Sequence, residues 1–136
     1  MRLCAILLSM FLAVPLWAQS IPKDSTIYIE PNSGFDTYLI AAFQAKKVPL
    51  LIVEDKDKAD FILKSTVERG EKPGWASMII LKKTKANEDA SITIVNQKTS
   101  VICWAYSVHK YNASRGQQST AEACAKHLAG HIKKQK

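Results

Sequence analysis

Three side chains near the carboxyl end of the sequence have the types and spacing of metal ligands. Cys124, His127 and His131 stand at positions i, i+3 and i+7, which a helix would bring to one edge of a face. Two imidazoles one helical turn apart can bind one zinc ion. The glutamate that follows the first histidine of the usual zinc helix is absent, and Gly130 lowers the helix propensity beside His131. The pattern therefore favours a partly exposed basic helix edge. A metal site with these three residues as its candidate ligands is the alternative.

A disulfide between Cys103 and Cys124 is a second interpretation of the same stretch. If residues 1–18 are removed on export, these are the two cysteines that remain in the chain. Exported proteins meet an oxidising compartment, in which disulfides persist. Pairing requires the two Cα atoms to lie within about 7 Å, and two buried free thiols are the alternative. The cysteines do not form a Cys-x-x-Cys motif, so redox catalysis is not expected.

The amino end of the sequence has the pattern of a secretory signal peptide. Arg2 precedes an apolar run over residues 3–16, and Ala18 offers a small side chain at a cleavage point. Pro15 interrupts this run, which is shorter than the roughly 20 apolar residues of a membrane-spanning helix. We therefore predict a signal peptide over residues 1–18 and an exported chain, periplasmic or secreted, without a membrane-spanning segment.

The size and charge of the remaining chain indicate a basic single domain over residues 19–136. Removing 18 of the 136 residues leaves 118, enough to build one hydrophobic core. The removed segment contains Arg2 as its one charged residue, so the formal net charge falls from +7 to +6. The basic side chains are dispersed along the sequence, which favours a solvated surface. The alternative is attraction to nucleic acid or to an anionic envelope polymer.

Strand and helix signals alternate in the first half of this predicted domain. A short β-prone run over residues 27–29 precedes a segment in which Phe35, Leu39 and Phe43 recur at helical spacing. A continuous apolar run follows over residues 50–53, as expected of a strand that is covered on both faces. A strand, a helix and a strand in this order predict a right-handed βαβ unit with parallel strands.

The second half predicts an antiparallel meander followed by a terminal helix. Strand-like runs cover residues 59–68, 75–81, 90–95 and 100–109. Asn96 begins a four-residue connection that suits a tight hairpin. In the last of these strands, large side chains alternate with small ones, and we expect the terminal helix to pack on the small side, which is Val101, Cys103, Ala105 and Ser107.

The terminal helix carries an apolar stripe and a start signal. Its stripe contains Ala121, Cys124, Ala125, Leu128 and Ile132. Ser119 and Glu122 fit a capping box, and a start up to one turn earlier is the alternative. The predicted fold is an α/β (α+β) domain with a mixed sheet of five to six strands. Two main helices pack on that sheet, either on one face or on both.

Two stretches of the sequence resemble the CsgG-like and TolB amino-terminal-like domains of the bacterial envelope. The run ADFILKSTV over residues 59–67 resembles their strand of aspartate, aromatic, aliphatic pair, small residue, threonine and valine. The run SITIVNQKTSVICW over residues 91–104 is similar to their hairpin, whose second strand reaches a tryptophan. The resemblance implies an accessory or protein-binding envelope domain, with no catalytic residues to carry over.

These observations lead to one main functional hypothesis and two alternatives. We expect a non-enzymatic module, without a cofactor, whose partner is another envelope protein. Trp75 follows a Pro-Gly turn and is a candidate binding anchor, although packing at the rim of the core is the favoured role. The first alternative is a binder of anionic polymer or nucleic acid. The second is an enzyme, which would require a cleft that gathers His109, Tyr111 and Arg115 with an acidic residue, Glu68 or Asp60.

Overall fold

The computed structural model describes residues 19–69, 88–110 and 115–135. The predicted signal peptide over residues 1–18 and the predicted strand over residues 75–81, with Trp75, lie outside the described residues. Within the three described segments, no helix is long and apolar enough to cross a membrane.

The described residues form one five-stranded mixed sheet and two main helices. In chain order the elements are β1 (Ser25–Ile29), α1 (Phe35–Ala45), β2 (Leu50–Ile52), a 3₁₀ turn (Lys56–Lys58), β3 (Phe61–Arg69), β4 (Glu88–Asn96), β5 (Ile102–Lys110) and α2 (Gln117–Lys134). The spatial order of the strands is β2-β1-β3-β4-β5. This arrangement confirms the predicted α/β fold class.

The sheet is parallel in its first half and antiparallel in its second. Strand β1 pairs in parallel with both β2 and β3, so the predicted βαβ unit is confirmed. Strands β3, β4 and β5 are antiparallel neighbours, with β3 directly beside β4, so the predicted meander is confirmed for these three of its four runs. In the hairpin between β4 and β5, the Asn96 side chain accepts hydrogen bonds from the backbone N–H groups of Lys98 and Thr99, at 2.9 and 3.0 Å. Ser100 completes the turn with a positive φ of 58°.

Helix α1 forms because its apolar residues fall on one stripe and its first turn is well defined. Gly34 precedes the helix with φ at 88°, a left-handed conformation that a side chain would make costly. The carboxylate of Asp36 accepts a hydrogen bond from the backbone N–H of Asn32 at 3.1 Å. The predicted stripe is buried, with Phe35 and Leu39 fully enclosed.

Helix α2 begins earlier than the capping box predicted. Gly116 occupies the N-cap position, so that Ser119 lies inside the first turn. Glu122 contacts Gln118 and Lys46 instead of reaching back to a capping serine. The predicted apolar stripe of this helix is buried, and five of its residues are at most 1% exposed: Ala121, Cys124, Ala125, Leu128 and Ile132.

Both helices pack on the same face of the sheet and against each other. The core therefore lies between one helical layer and one sheet face. On the sheet side it is built by the alternate residues that point toward the helices. They are Ile27, Ile29, Phe61, Leu63, Ala90, Ile92 and Ile94.

A β-bulge at the start of β5 changes which side chains share a face. Ile94 pairs with Trp104, whereas its neighbour Val95 pairs with Ile102, which leaves Cys103 as the extra residue. Trp104 consequently faces the helices, while Ile102 turns to the other side and is 63% exposed. The expectation that α2 packs on the small side of β5 is therefore wrong, because α2 lies over the large side chains of this strand.

Candidate functional site

Four rings stack where α2 crosses β5. Tyr106 and His127 lie 4.4 Å apart between ring centroids, with an interplanar angle of 22°. Trp104 and His131 stack at 5.7 Å, and the two aromatic rings of β5 lie 5.8 Å apart with their planes nearly parallel. Nε2 of His131 also accepts a hydrogen bond from the side-chain amide of Gln135 at 2.7 Å. We call this group, made of Trp104, Tyr106, His127 and His131, the ring stack.

The ring stack accounts for the two histidines that the sequence offered as metal ligands. His127 and His131 each face a different aromatic ring of β5, while Cys124 points into the core and is fully buried. Burial raises the pKa of the Cys124 thiol to about 12. In the segments that the structure describes, no three His, Cys, Asp or Glu side chains gather as a metal-binding group. The three candidate ligands are thus close in sequence, but each one contacts a different part of the molecule.

Cys103 and Cys124 are free thiols in the structure, which agrees with the alternative of two free thiols and not with a disulfide. His131 lies over Trp104 and His127 over Tyr106, so α2 runs antiparallel to β5. Cys103 of β5 therefore lies beside a part of α2 that is more than two turns past Cys124. This is roughly 13 Å along the helix axis, at about 1.5 Å per residue. That separation exceeds the reach of a disulfide, about 7 Å between Cα atoms. Burial also raises the pKa of the Cys103 thiol.

The residues expected in a catalytic cleft are not brought together. His109 pairs with Asp89 on the sheet face away from the helices, whereas Arg115 lies beside Glu122 at the start of α2, at 3.8 Å. Asp60 lies at the other end of the sheet, next to Thr26. Glu68 is exposed on β3, where it pairs with Asp89 and so lies in the same row and on the same sheet face as His109. Tyr111 lies outside the described residues. The described members of this set therefore occupy three separate places on the molecule.

Asp60 instead fastens the start of β3 to β1. Its carboxylate accepts hydrogen bonds from the backbone N–H of Thr26 at 3.1 Å and from the Thr26 hydroxyl at 2.9 Å. The backbone N–H of Asp60 in turn donates to that hydroxyl oxygen at 2.9 Å. The hydrogen bonds from Thr26 lower the pKa of Asp60, because they stabilise its charged form. The aspartate that opens the ADFILKSTV stretch thus has a structural role.

The sheet face away from the helices is mostly polar and is crossed by one apolar row. Strand register places Tyr28 of β1, Ile62 of β3, Val95 of β4 and Ile102 of β5 side by side. The neighbouring positions along β3, β4 and β5 on this face are polar or small. They are Lys64, Thr66, Glu68, Asp89, Ser91, Thr93, Ala105, Ser107 and His109. We call the first four residues the apolar row.

The apolar row ends at an exposed edge of the sheet. Ile62 is only 8% exposed in the middle of the row, but Ile102 at its end on edge strand β5 is 63% exposed. On the opposite edge strand, β2, Leu51 pairs with Thr26 and is 55% exposed on the same face. Both outer strands of the sheet that the described residues form therefore present a large apolar side chain to solvent. Monomeric proteins usually keep such residues away from open strand edges.

Basic side chains from three elements surround a shallow depression on the outer side of α2. The depression has a volume of about 300 Å³. Lys46 follows α1, Lys110 ends β5, and Arg115 precedes α2. Its remaining charged or titratable residues, all on α2, are Glu122, Lys126 and His127. We call this feature the basic depression, and it gathers charges that are dispersed in the sequence.

Comparison with known proteins identifies relatives by fold alone. No family model matches the chain, and no curated protein matches it in sequence. Two structures of the PelC dodecamer from Paraburkholderia phytofirmans superpose with TM-scores of 0.57 and 0.54 at 11% and 12% identity. The match covers 84% of this chain in both cases and 91% and 92% of PelC. A PDZ domain protein from Parabacteroides distasonis gives a TM-score of 0.56 at 11% identity, over 83% of this chain and 32% of that one.

Two of the described features were missed by the sequence analysis, for different reasons. Along β1 and β4, the members of the apolar row alternate with core residues. This period-two pattern predicts the strands, but it does not predict that apolar residues on their second face form a row. Strict alternation places its last member, Ile102, on the same face as Trp104, because no local signal marks the bulge. The basic depression joins residues that are up to 81 positions apart, so no sequence window contains it.

Proposed function

We propose that this chain is an exported, non-enzymatic domain that binds protein, and that its first partner is a second copy of itself. The observation that carries the proposal is the apolar row that ends at Ile102, which is 63% exposed on an edge strand. Burying an isoleucine side chain stabilises an interface by about 1.5–3 kcal/mol. A partner that covers the row would gain this energy and would also pair the outer backbone edge of β5, which no other described strand pairs.

The two edges of the sheet are suited to each other. Edge β5 presents Ile102 and edge β2 presents Leu51, both toward the same face. A contact between the β5 edge of one copy and the β2 edge of the next would cover both side chains. Such a head-to-tail interface leaves one free edge on each copy, so it repeats until the assembly closes as a ring or extends as a filament.

The comparisons support assembly as the first activity to test. The two similar PelC structures are dodecamers, which shows that this fold can form large homo-oligomers. The resemblance of residues 59–67 and 91–104 to CsgG-like and TolB amino-terminal-like domains supports a place in the bacterial envelope. The signal-peptide pattern over residues 1–18 supports export of the chain.

The test is the mass of the purified chain from residue 19 onward, measured by light scattering after gel filtration. We expect an oligomer at about 100 µM that dissociates on dilution. Ile102→Glu and Leu51→Glu should each shift the mass toward that of the monomer, because each buries a carboxylate in the proposed interface. Ser107→Glu is the matched control, since Ser107 is exposed on the same face of the same strand and lies outside the apolar row.

The two interface variants also make a complementation test. In a head-to-tail contact, Ile102→Glu retains a working β2 edge and Leu51→Glu retains a working β5 edge. A mixture of the two should therefore form dimers and no larger species. A wild-type chain that stays monomeric over the whole concentration range contradicts self-assembly. Cross-linking in envelope extracts to a different protein, with loss of the product in Ile102→Glu, would make that protein the partner instead.

A further inference from the structure

The basic depression carries more positive charge than the residues around it neutralise. Lys46, Arg115, Lys110 and Lys126 face one carboxylate, that of Glu122. Glu122 lies 3.5 Å from Nζ of Lys46 and 3.8 Å from the guanidinium of Arg115. Among the described residues, neither Lys110 nor Lys126 makes an ion pair with a carboxylate. The described lining residues therefore carry a formal charge of about +3 with His127 neutral. The buried carboxylate of Glu88 lies beside Gly116 at the edge of this group and lowers the local total to about +2.

Several like charges around one concave surface repel each other, and a bound anion relieves that repulsion. Lysine ammonium groups and the arginine guanidinium are strong donors to phosphate oxygens, and charge-assisted hydrogen bonds of this kind are about twice as strong as neutral ones. Ser119 adds a hydroxyl to the wall of the depression. A volume of about 300 Å³ is at the lower end of the range for small-ligand sites.

We propose that the basic depression binds a diphosphate group. Each phosphate carries roughly 1.5–2 negative charges near neutral pH, so two linked phosphates match the charge of about +3 on the residues that line the depression. The cations stand just after α1, at the end of β5, just before α2 and on α2, so a bound anion would contact three parts of the fold. The depression lies on the helical side of the molecule, opposite the apolar row. The site is therefore independent of the proposed self-assembly, and each can fail without the other.

Glu122 allows a test in which loss of a negative charge and loss of a positive charge should change the anion affinity in opposite directions. Its carboxylate opposes an anion and also holds Lys46 and Arg115 in the wall of the depression. Exposed ion pairs contribute little to stability, about 0–1 kcal/mol at most sites, so the fold should tolerate its removal. Glu122→Gln should therefore bind the anion more tightly than the wild type, whereas loss of a lysine should weaken binding.

The experiment is calorimetric titration of the chain from residue 19 onward with inorganic pyrophosphate at low ionic strength. Orthophosphate and ADP are titrated in parallel. We expect saturable binding of pyrophosphate, at least about tenfold tighter than that of orthophosphate. Equal affinity for ADP would show that the site accepts an esterified diphosphate, and weaker binding of ADP would show that it prefers the free anion. Both results support the diphosphate site.

Matched variants separate a built site from general electrostatic attraction. Lys126→Gln should weaken pyrophosphate binding about fivefold, whereas Lys133→Gln, an equal loss of charge on the same helix outside the depression, should leave it within about twofold. Glu122→Gln should strengthen binding, and Glu54→Gln should not. The proposal is overturned if pyrophosphate does not bind saturably, or if Lys133→Gln weakens binding as much as Lys126→Gln does.

Discussion

Removing the contact between Tyr106 and His127 should destabilise the protein in a way that depends on both rings. The two rings stack at 4.4 Å with an interplanar angle of 22°, the shortest contact of the ring stack. We consider Tyr106→Leu and His127→Gln, which remove one ring each, together with the double variant. If the rings interact, the double variant will be more stable than the sum of the two single effects predicts.

The expected size of this coupling follows from the geometry. Aromatic pairs at this distance contribute about 0.5–1.5 kcal/mol beyond the area that they bury. His127 is exposed on its outer side, where water weakens the interaction, so we expect a coupling free energy of about 1 kcal/mol. Tyr106→Leu alone should cost more than His127→Gln, because Tyr106 also stacks on Trp104.

Urea unfolding followed by far-UV circular dichroism measures the four free energies of the cycle. With an m-value of about 1–3 kcal/mol/M, the coupling corresponds to about 0.3–1 M in the unfolding midpoint. The control cycle pairs Tyr106→Leu with Lys126→Gln, whose side chain neighbours His127 in sequence and is exposed. This second cycle should be additive within about 0.5 kcal/mol. A first cycle that is equally additive would refute the packing of α2 on the large side of β5.

Two further predictions concern the thiols and Asp60. At about pH 8, iodoacetamide should modify Cys103 in the native protein and leave Cys124 untouched, because Cys124 is fully buried and its raised pKa of about 12 leaves almost no thiolate. Mass spectrometry of peptides measures this, and urea should make both cysteines reactive. Asp60→Asn should lower the free energy of unfolding by less than about 1 kcal/mol at neutral pH. The lowered pKa of Asp60 means that its stabilisation is present above about pH 4 and is lost as the pH falls through the folded pKa.

Each of these two predictions has an outcome that contradicts it. Native protein in which neither cysteine reacts, and which gains two reactive thiols only after reduction, would show a disulfide instead of free thiols. For Asp60, the curves of unfolding free energy against pH for the wild type and for Asp60→Asn should converge as the pH falls below the lowered folded pKa of Asp60. Curves that stay parallel from neutral to acid pH would show that the charge of Asp60 does not act through Thr26.

The architecture was predictable because its signals are local. The helical spacing of Phe35, Leu39 and Phe43, placed between two short apolar runs, was sufficient for a βαβ unit. The connection that begins at Asn96 was sufficient for a hairpin, because an asparagine side chain can bond the backbone two and three residues ahead. Such signals act within a few residues, and so they are visible in the sequence without knowledge of the fold.

The side chains that share a surface were harder to predict, because they depend on register and on packing. One extra residue at Cys103 moved Ile102 to the opposite face from Trp104, and strict alternation could not reveal it. The terminal helix then packed on large side chains, where His127 and His131 could stack on aromatic rings. The spacing of these histidines was noted correctly, but whether they meet a metal or an aromatic ring depends on the strand beneath them.

The two ends of the described fold are joined by a single hydrogen bond. The backbone N–H of Ile21 donates to the side-chain carbonyl of Gln135 at 3.0 Å, next to the buried side chains of Ile21 and Ile132. Because these positions adjoin, a short linker could connect them, and the chain could be reopened at the turn after Asn96 without cutting a strand or a helix. The order of elements along the chain is thus separable from their arrangement in space, and a circularly permuted gene could encode the same layers.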